Sequence, residues 1–314
     1  MNFSSALSCL KKQTNLALFL SATLTPFSVF SLPAQASVLH NGWSYSIDSF
    51  NDSIQNNNVG GTDYEIYSTA VKATANELIF AINSNLSLGG VYNQFADDKH
   101  TTYGDLIINP TGASFDAANS SGNLLAIRFA SQNDSGVSGL GFFGSVTAKS
   151  IATENGLLFN NLAAYNNYVT NNGGNPSNGD LAASDPYFNK GTHVPNVINS
   201  GVKIGDINFV SDVGALGLDF GYFGAVGSQT IALSVDRSIL PENHFNWVYH
   251  INPECNNDVT IGIIDTAFLD YIPEESSIDE KKADRIGSTP EPSVLLGLGM
   301  VGLGLGVCRR RQVC

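Results

Sequence analysis

The sequence predicts an all-β fold, a single antiparallel β-sandwich over residues 37–270. Apolar and polar side chains alternate in short runs, for example at residues 43–47 and 231–235, and this two-residue period is typical of strands. Gly, Asn, Asp and Ser cluster between the runs, as they do in turns. The best helical candidate is the short stretch 161–169. Many short strands with almost no helix indicate a sandwich.

The individual strands and loops follow from the same patterns. Strands are predicted at residues 77–83, 104–109, 124–130, 142–149, 203–210, 231–236, 246–251 and 259–264. Two long loops rich in Asn and Gly, at residues 51–62 and 166–180, interrupt these strands. Loops of that length are often functional, although Asn and Gly also serve in plain connections.

The N-terminus has the pattern of a secretory signal. Lys11 and Lys12 precede a long apolar stretch, Ala34 and Ala36 form a small-x-small cleavage pattern, and no acidic residue precedes Ser37. This order is typical of a signal peptide that signal peptidase removes. We therefore predict a signal peptide at residues 1–36 in preference to a transmembrane helix, which the interspersed Pro, Ser and Thr residues disfavour.

The C-terminal segment, residues 289–314, has three parts in a fixed order. These are the motif Pro290, Glu291 and Pro292, an uncharged apolar run at 293–308, and a basic cluster of Arg309, Arg310 and Arg311. The prolines favour an extended, accessible motif. As a helix the run would be about 24 Å long, slightly less than a bilayer core. The arginines would stay in the cytoplasm, so the segment is predicted to be a single membrane-spanning helix.

This three-part arrangement resembles the PEP-CTERM sorting signal of bacterial exosortase substrates. The resemblance implies export, recognition of the Pro-Glu-Pro motif by a membrane-embedded exosortase, removal of the tail, and delivery to the cell surface or extracellular matrix. An ordinary C-terminal anchor is the alternative. Other segments, among them GWSYSIDSFND (42–52), YEIYSTAVK (64–72) and ECNND (254–258), resemble exosortase-dependent surface proteins of cyanobacteria. That resemblance implies an extracellular domain and supplies no catalytic residues.

Charge and cysteine usage agree with an extracellular domain. Without the two lysines and three arginines of the terminal signals, 10 basic residues remain against 28 acidic ones, a net charge of about −18 that disfavours nucleic-acid binding. Cys255 is the one cysteine between the signals, so no internal disulfide is expected. Residues 271–288 are polar and rich in charge, which predicts a solvated stalk before the sorting signal.

A calcium site is the leading metal hypothesis. The order of Asp, Tyr and Glu residues near strand ends is weakly similar to β-sandwich carbohydrate-binding and DOMON-like modules, a resemblance that implies a jelly-roll type of sandwich, often with a structural calcium. Calcium prefers hard oxygen ligands from loops, and the candidate ligands are Asp48, Asp52, Asp63, Glu65 and Asp105. The same acids also fit turns and a solvated surface. Glu254 and Asp258 flank Cys255 and fit either turns or calcium ligation.

Two further constellations are weaker. His244, His250, Glu254 and Cys255 lie close together in sequence, but their spacing fits no common zinc pattern and an extended strand would separate them. Tyr165 and Tyr168 adjoin the second polar loop and are candidates for stacking on a sugar ring.

Three functions remain open from the sequence. The leading hypothesis is a non-enzymatic surface or matrix protein, processed by exosortase and associated with extracellular polysaccharide. The second is a calcium-dependent carbohydrate-binding module. The third is a secreted hydrolase, which would need a pair of carboxylates in a cleft.

Overall fold

A computed structural model describes residues 37–241 and 246–265. Strands dominate these residues, and every pair of hydrogen-bonded strands is antiparallel. The predictions of an all-β fold and of antiparallel pairing are therefore confirmed. The predicted signal peptide, stalk and sorting segment lie outside the described residues. Within the described ranges, no helix is both long and apolar enough to cross a bilayer.

Eight of the predicted runs match a strand to within a few residues, whereas the strand Ile66–Ala73, most of Val197–Gly205 and several two- or three-residue strands were not predicted. In chain order the strands are β1 (Val38–His40), β2 (Trp43–Ile47), β3 (Ile54–Gln55), β4 (Asn58–Val59), β5 (Ile66–Ala73), β6 (Glu77–Ser84), β7 (Val91–Tyr92), β8 (His100–Thr101), β9 (Leu106–Asn109), β10 (Leu124–Arg128), β11 (Gly141–Lys149), β12 (Val197–Gly205), β13 (Ile207–Phe209), β14 (Gln229–Asp236), β15 (Trp247–Ile251) and β16 (Thr260–Ile264).

Two six-stranded sheets form the body of the fold. The first sheet has the order β1-β2-β5-β6-β14-β13, and the second has the order β12-β11-β10-β9-β15-β16. The predicted strand at 203–210 is divided between them, because the chain leaves the second sheet after Gly205 and joins the first at Ile207. Such a corner lets one strand serve two packed sheets.

One hydrophobic core joins the facing sides of the two sheets. The first sheet contributes Val71, Leu78, Phe80, Ile82, Leu233 and Val235, and the second contributes Leu106, Ile108, Leu125, Ile127, Trp247 and Tyr249. Cys255 is fully buried in the same core. Because burial of apolar area is the main stabilising contribution to folding, this core holds the sheets together.

The outer face of each sheet is also covered. Segment 210–223 packs on the first sheet against Trp43 and Tyr45, and the Leu216 carbonyl accepts hydrogen bonds from Trp43 Nε1 at 2.9 Å and from Lys72 Nζ at 2.6 Å. On the second sheet, Phe115 and Phe188 pack against Ile107 and its neighbours. Many strands are therefore buried on both faces, unlike the half-buried strands that strict alternation predicts.

The described part of the chain contains two α-helices beside the sheets. Helix α2 (Leu162–Asn171) corresponds to the helical candidate at 161–169, and Asn161 caps it by accepting a hydrogen bond from the Ala164 amide at 2.8 Å. Helix α1 (Phe115–Ser120) was not predicted. Its six residues are too few to show a helical period, and it is stabilised by packing of Phe115.

Close backbone approach at Gly104 generates the first prediction. A Cβ atom on Gly104 would lie 2.1 Å from the Asn196 carbonyl oxygen, and both neighbouring chains are fixed by backbone hydrogen bonds to Gly104 and Asp105. Gly104→Ala is therefore expected to lower the free energy of unfolding by about 2 kcal/mol or more, as overpacking does. Urea denaturation followed by tryptophan fluorescence measures this change.

Gly89→Ala is the matched control. No atom lies within 4 Å of the corresponding Cβ position, so its effect is expected to stay within about 0.5 kcal/mol. Equal destabilisation by the two substitutions would contradict the packing described around Gly104.

Candidate functional site

Buried carboxylates gather at one end of the two-sheet body, where several strands begin or end. Asp48 follows β2, Glu65 precedes β5, and Asp258 precedes β16. Asp52 lies in the first polar loop and Asp180 at the end of the second. All five side chains are at most 5% exposed. The sheets thus bring together acids that are far apart in the sequence.

Asp52, Glu65 and Asp258 form the centre of this region and are called the acidic cluster below. One carboxylate oxygen from each residue lies within 4.8 Å of one from each of the others. Among the residues that the structure describes, this is the one group of three or more acidic, His or Cys side chains with such spacing. The spacing suits three ligands of a single cation.

Hydrogen bonds hold the cluster but leave one oxygen free. Glu65 Oε2 accepts from Ser53 Oγ at 2.5 Å and from the Gly61 amide at 2.6 Å. Asp258 Oδ2 accepts from the Ile66 amide at 2.7 Å. Asp52 Oδ2 accepts from the Ser177 amide at 2.7 Å, whereas Asp52 Oδ1 is buried without a hydrogen-bond partner. A buried, unpartnered carboxylate oxygen is energetically unfavourable unless another ligand or a proton satisfies it.

Burial and mutual repulsion raise the pKa values of the cluster. Burial is the main cause at all three residues, and it raises the pKa of Asp52 and of Asp258 well above the ordinary value. The charges of Asp48 and Glu65 add to the pKa rise at Asp52, and the charges of Asp52, Asp48 and Glu65 add to the rise at Asp258. Burial also raises the pKa of Glu65, against the hydrogen bonds that lower it.

Asp48 and Asp180 extend the negative region beside the cluster. The Asp48 carboxylate accepts hydrogen bonds from the Ser49 and Gly179 amides and from the Thr260 hydroxyl, and burial raises its pKa to about 6. Asp180 accepts from Ser46 Oγ at 2.6 Å, and burial raises its pKa to about 7. Both acids connect separate strands or loops through these bonds.

The two polar loops predicted from the sequence meet at the cluster. The Asn175 amide donates to Asn51 Oδ1 at 3.1 Å, next to the Ser177–Asp52 contact. A Cβ atom on Gly174 would lie 2.4 Å from the Asn51 carbonyl oxygen, so the loops are in direct backbone contact. The first loop contains the β3–β4 hairpin, whose central residues Asn56 and Asn57 both have positive φ, as a tight primed turn requires.

Tyr165, on helix α2, connects the first polar loop to the loop that carries Asp258. It is 5% exposed, and its hydroxyl lies 2.6 Å from the Asp52 carbonyl and 2.8 Å from the Asn257 carbonyl, both acceptors. Its ring packs edge-on against Phe159 at 5.4 Å between centroids. This burial leaves no free ring face for a sugar, so of the two tyrosines predicted to contact glycan, only Tyr168 has a partly exposed position.

Three of the five predicted calcium ligands are brought near each other, and two are not. Asp63 is exposed and bonds to the Gln55 side chain at 2.9 Å, since its turn directs it to solvent. Asp105 lies at the start of β9 in the second sheet, where Asn133, Ser135 and the Ile198 amide occupy its carboxylate. Asp258 takes their place in the cluster. From the sequence, Asp258 fitted either a turn or calcium ligation, and neither role was preferred.

The three described residues of the alternative zinc constellation, His250, Glu254 and Cys255, do not form a metal-binding group. His250 is fully buried between Phe115 and Phe188, with Nε2 against the Pro195 carbonyl, and burial lowers its pKa to about 4. Glu254 accepts hydrogen bonds from the Thr102 and Asp134 amides. Cys255 belongs to the core between the sheets, and burial raises the pKa of its thiol. His244 lies outside the described residues.

A groove with a volume of about 480 Å³ opens beside the acidic cluster. It is lined by the hairpin residues 54–57, by residues 92–95, by Gly156, Leu158 and Phe159, and by Tyr64, Tyr168 and Asn257. Tyr64 and Asn257 directly precede Glu65 and Asp258 in the sequence. One wall of the groove is therefore built by the loops that also form the cluster, and residues 92–95 with Gly156, Leu158 and Phe159 form the rest.

No protein-family model, curated protein or solved structure matches this chain.

The double contact of the Tyr165 hydroxyl generates a prediction about how the loops are held. Tyr165→Phe removes the hydroxyl that donates to two backbone carbonyls. The buried Asp52 carbonyl oxygen then loses this hydrogen bond. We expect the free energy of unfolding to fall by about 1–2 kcal/mol, as measured by urea denaturation.

Tyr168→Phe is the control for this substitution, because the Tyr168 hydroxyl makes no hydrogen bond within the described part of the chain. A loss of stability in Tyr168→Phe as large as that in Tyr165→Phe would mean that the two carbonyl contacts do not stabilise the loops.

Proposed function

We propose that this protein is an exported cell-surface or extracellular-matrix protein, processed by signal peptidase and exosortase, non-enzymatic and associated with extracellular polysaccharide. We further propose that its domain binds one calcium ion at the acidic cluster. The observation that carries the calcium proposal is the close approach of three buried carboxylates, one of which has an unpartnered oxygen. Support for export comes from the two terminal sequence signals.

The electrostatics of the cluster favour a cation. Two carboxylates about 4.8 Å apart repel each other by about 3–4 kcal/mol at an effective dielectric constant near 20. Three such pairs are about as unfavourable as the hydrogen bonds to the cluster are favourable, at about 1.5–3 kcal/mol for each bond, and the desolvation of three buried charges adds a further penalty of several kcal/mol for each ion. Among the described residues, the ion pairs join His40 to Asp219 and Lys203 to Asp206, and neither contacts the cluster. Either bound protons or a cation must therefore neutralise the charge.

The ligand chemistry favours calcium over other cations. The cluster offers carboxylate oxygens only, and hard oxygen ligands from loops are the set that calcium selects. Zinc sites usually contain His or Cys, and neither is present in the cluster. Extracellular calcium sites commonly bind with dissociation constants of about 10⁻⁴–10⁻³ M, which matches the proposed location.

The proposal includes a finer description of the fold. Two packed antiparallel sheets with ligand-binding loops at one end are compatible with jelly-roll and DOMON-like carbohydrate-binding modules, as the weak sequence similarity implies. Calcium-dependent carbohydrate binding is the second candidate function, and the groove beside the cluster favours it. A hydrolase would need paired carboxylates in a cleft, and the lining of the groove contains none.

The first prediction from this proposal is a calcium effect that depends on pH. Raised pKa values mean that the folded protein binds more protons than the unfolded one. Without calcium, this proton-linked stability is full below the unfolded Asp pKa of about 4. It is lost as pH rises through the folded values, about 6 for Asp48 and about 7 for Asp180. In EDTA we therefore expect a higher melting temperature at pH 5 than at pH 8.

Calcium is expected to act most at high pH, because it replaces the protons. At a hundredfold excess over the dissociation constant it stabilises the folded state by about 2.7 kcal/mol, which corresponds to about 5–10 °C for a domain of this size. Thermal denaturation of the full chain at both pH values measures this. Glu254, whose pKa burial raises to about 8, adds a calcium-independent part to the pH trend. His250, whose pKa burial lowers to about 4, opposes this trend below about pH 6.5, because its ring is protonated in the unfolded chain there and neutral in the folded one.

Asp258→Asn tests whether the calcium effect on melting temperature arises at the acidic cluster. The amide keeps the shape of the side chain and removes one repelling charge, but it also replaces one of the two oxygens that accept from the Ile66 and Val259 amides. These two changes oppose each other in the calcium-free form, so the expected result is the loss of the calcium effect. Asp63→Asn is the matched control at an exposed predicted ligand and should keep the full calcium effect. A calcium response that persists in Asp258→Asn would exclude the acidic cluster as the site.

The second prediction concerns processing. The protein recovered from its native host should have a mass that begins at Ser37 and ends near residues 290–292, and it should be found outside the inner membrane. A double substitution, Pro290→Ala with Pro292→Ala, should retain residues up to Cys314 and stay in the inner membrane. Intact-mass measurement of each cell fraction distinguishes the forms. A wild-type protein that keeps Arg309 to Cys314 would refute exosortase processing.

A further inference from the structure

We propose that the groove beside the acidic cluster binds a short stretch of an uncharged polysaccharide, by stacking on exposed aromatic rings and by hydrogen bonds to free side-chain amides. This inference rests on the proposed extracellular function and names the ligand class for it. The volume of about 480 Å³ falls within the range of about 300–1,000 Å³ that is usual for small-ligand sites.

The charge distribution selects a neutral ligand. No acidic or basic side chain lines the groove, although the chain as a whole has a net charge of −13. Around the groove, Asp63 bonds to the groove residue Gln55, and the Asp97 amide bonds to the Glu154 carbonyl close to Phe95 and Gly156. Lys99 also lies beside the groove, where its Nζ donates to the Gln94 and Ala96 carbonyls at 3.1 Å each, so acidic side chains outnumber basic ones there. A polyanion such as a uronate or sulfated glycan would be repelled by these acids.

Aromatic rings provide the stacking surface. Tyr92 is 75% exposed and Phe95 56% exposed, and both lie on the same short segment of the groove wall. Tyr168 and Phe159, packed against each other at 5.1 Å between centroids, form a second aromatic wall. Exposed apolar side chains that lie next to each other often mark a binding surface, and the flat apolar faces of aromatic rings suit the C–H faces of sugar rings.

Free amides provide the hydrogen bonds. The side chains of Asn56, Asn57, Gln94 and Asn257 all line the groove, and within the described residues none of them makes a hydrogen bond. Each amide has both donor and acceptor groups, which is the combination that sugar hydroxyls require. By contrast, Asn93 is fully engaged with Thr101, the Asn155 carbonyl and the Phe95 amide, so it acts as a support for the wall.

The groove also depends on the loops that form the acidic cluster. The Asn257 carbonyl accepts hydrogen bonds from the Ile54 amide at 3.1 Å and from the Tyr165 hydroxyl, which fixes the hairpin against the loop that carries Asp258. A cation at the cluster would hold Asp52 and Asp258 together and thereby keep this wall in position. Calcium is thus expected to act on sugar binding through positioning, with no contact to the sugar.

The test is isothermal titration of the full chain, in buffer with calcium, with neutral oligosaccharides of different linkage: cellohexaose, laminarihexaose, mannohexaose and xylohexaose. Oligogalacturonate is the anionic comparison. We expect at least one neutral oligosaccharide to bind and oligogalacturonate not to bind. Tyr92→Ala combined with Phe95→Ala should weaken binding by about tenfold or more, and Gln94→Ala should weaken it less.

Tyr222→Ala is the matched control, because Tyr222 is also exposed, at 65%, but stacks on His40 away from the groove. It should leave binding unchanged, and all variants should keep the melting temperature of the wild type. Absence of binding to every neutral oligosaccharide, or an equal loss in Tyr222→Ala, would overturn the proposal.

The same samples separate this proposal from the calcium proposal. A calcium-dependent rise in melting temperature without sugar binding overturns the ligand assignment alone. Sugar binding that is lost in Tyr92→Ala with Phe95→Ala, but without any effect of calcium on melting temperature, supports the groove and overturns the calcium site alone.

Discussion

Five carboxylates are buried together at one end of the domain, and within the described residues no lysine or arginine pairs with any of them. Burial of like charges is strongly unfavourable, so the surrounding structure must compensate for it. The compensation comes from donors on many elements: the Gly61, Ser177 and Gly179 amides from the loops, and the Ile66 and Ile263 amides from the strands. The loop conformations are thus fixed by the acids that they surround.

This constraint helps to explain how long, polar loops with few apolar side chains of their own are held in place. Loop residues 51–62 and 166–180 bury little hydrophobic area, apart from a small cluster of Ile54, Tyr165 and Val169. Their backbone amides are instead satisfied by carboxylates at the strand ends. A charge on these carboxylates strengthens each such hydrogen bond, and neutralisation of the cluster by protons or by a cation would relieve the repulsion between them. Stronger hydrogen bonds favour charged carboxylates, and relief of repulsion favours neutralised ones. The stability of this loop end should therefore depend on pH and on the concentration of cations.

The sequence predicted the sheets better than it predicted the site. Strand positions follow from local alternation, and that signal is strong where β-branched and aromatic residues recur, as in β14 and β15. The cluster depends on contacts between residues far apart in the chain, such as the bond from Asp258 to the Ile66 amide across 192 positions. No local pattern encodes such a contact. Asp48, Asp52 and Glu65 could be proposed because they are close in sequence to strand ends, whereas Asp105 has the same local pattern and belongs to the other sheet.

Burial of both outer faces has a consequence for where this protein can recognise a partner. In many antiparallel sandwiches one sheet face is open to a ligand, but here segment 210–223 covers the first sheet and Phe115, Phe188 and their neighbours cover the second. Recognition is then left mainly to loops and edges. Of these, the loop end with the groove combines exposed rings, unpaired amides and a wall held by hydrogen bonds from the Ile54 amide and the Tyr165 hydroxyl to the Asn257 carbonyl. Because rigid placement lowers the entropy lost on binding, the charged cluster that makes this end unfavourable to fold is also what would make it selective as a binding surface.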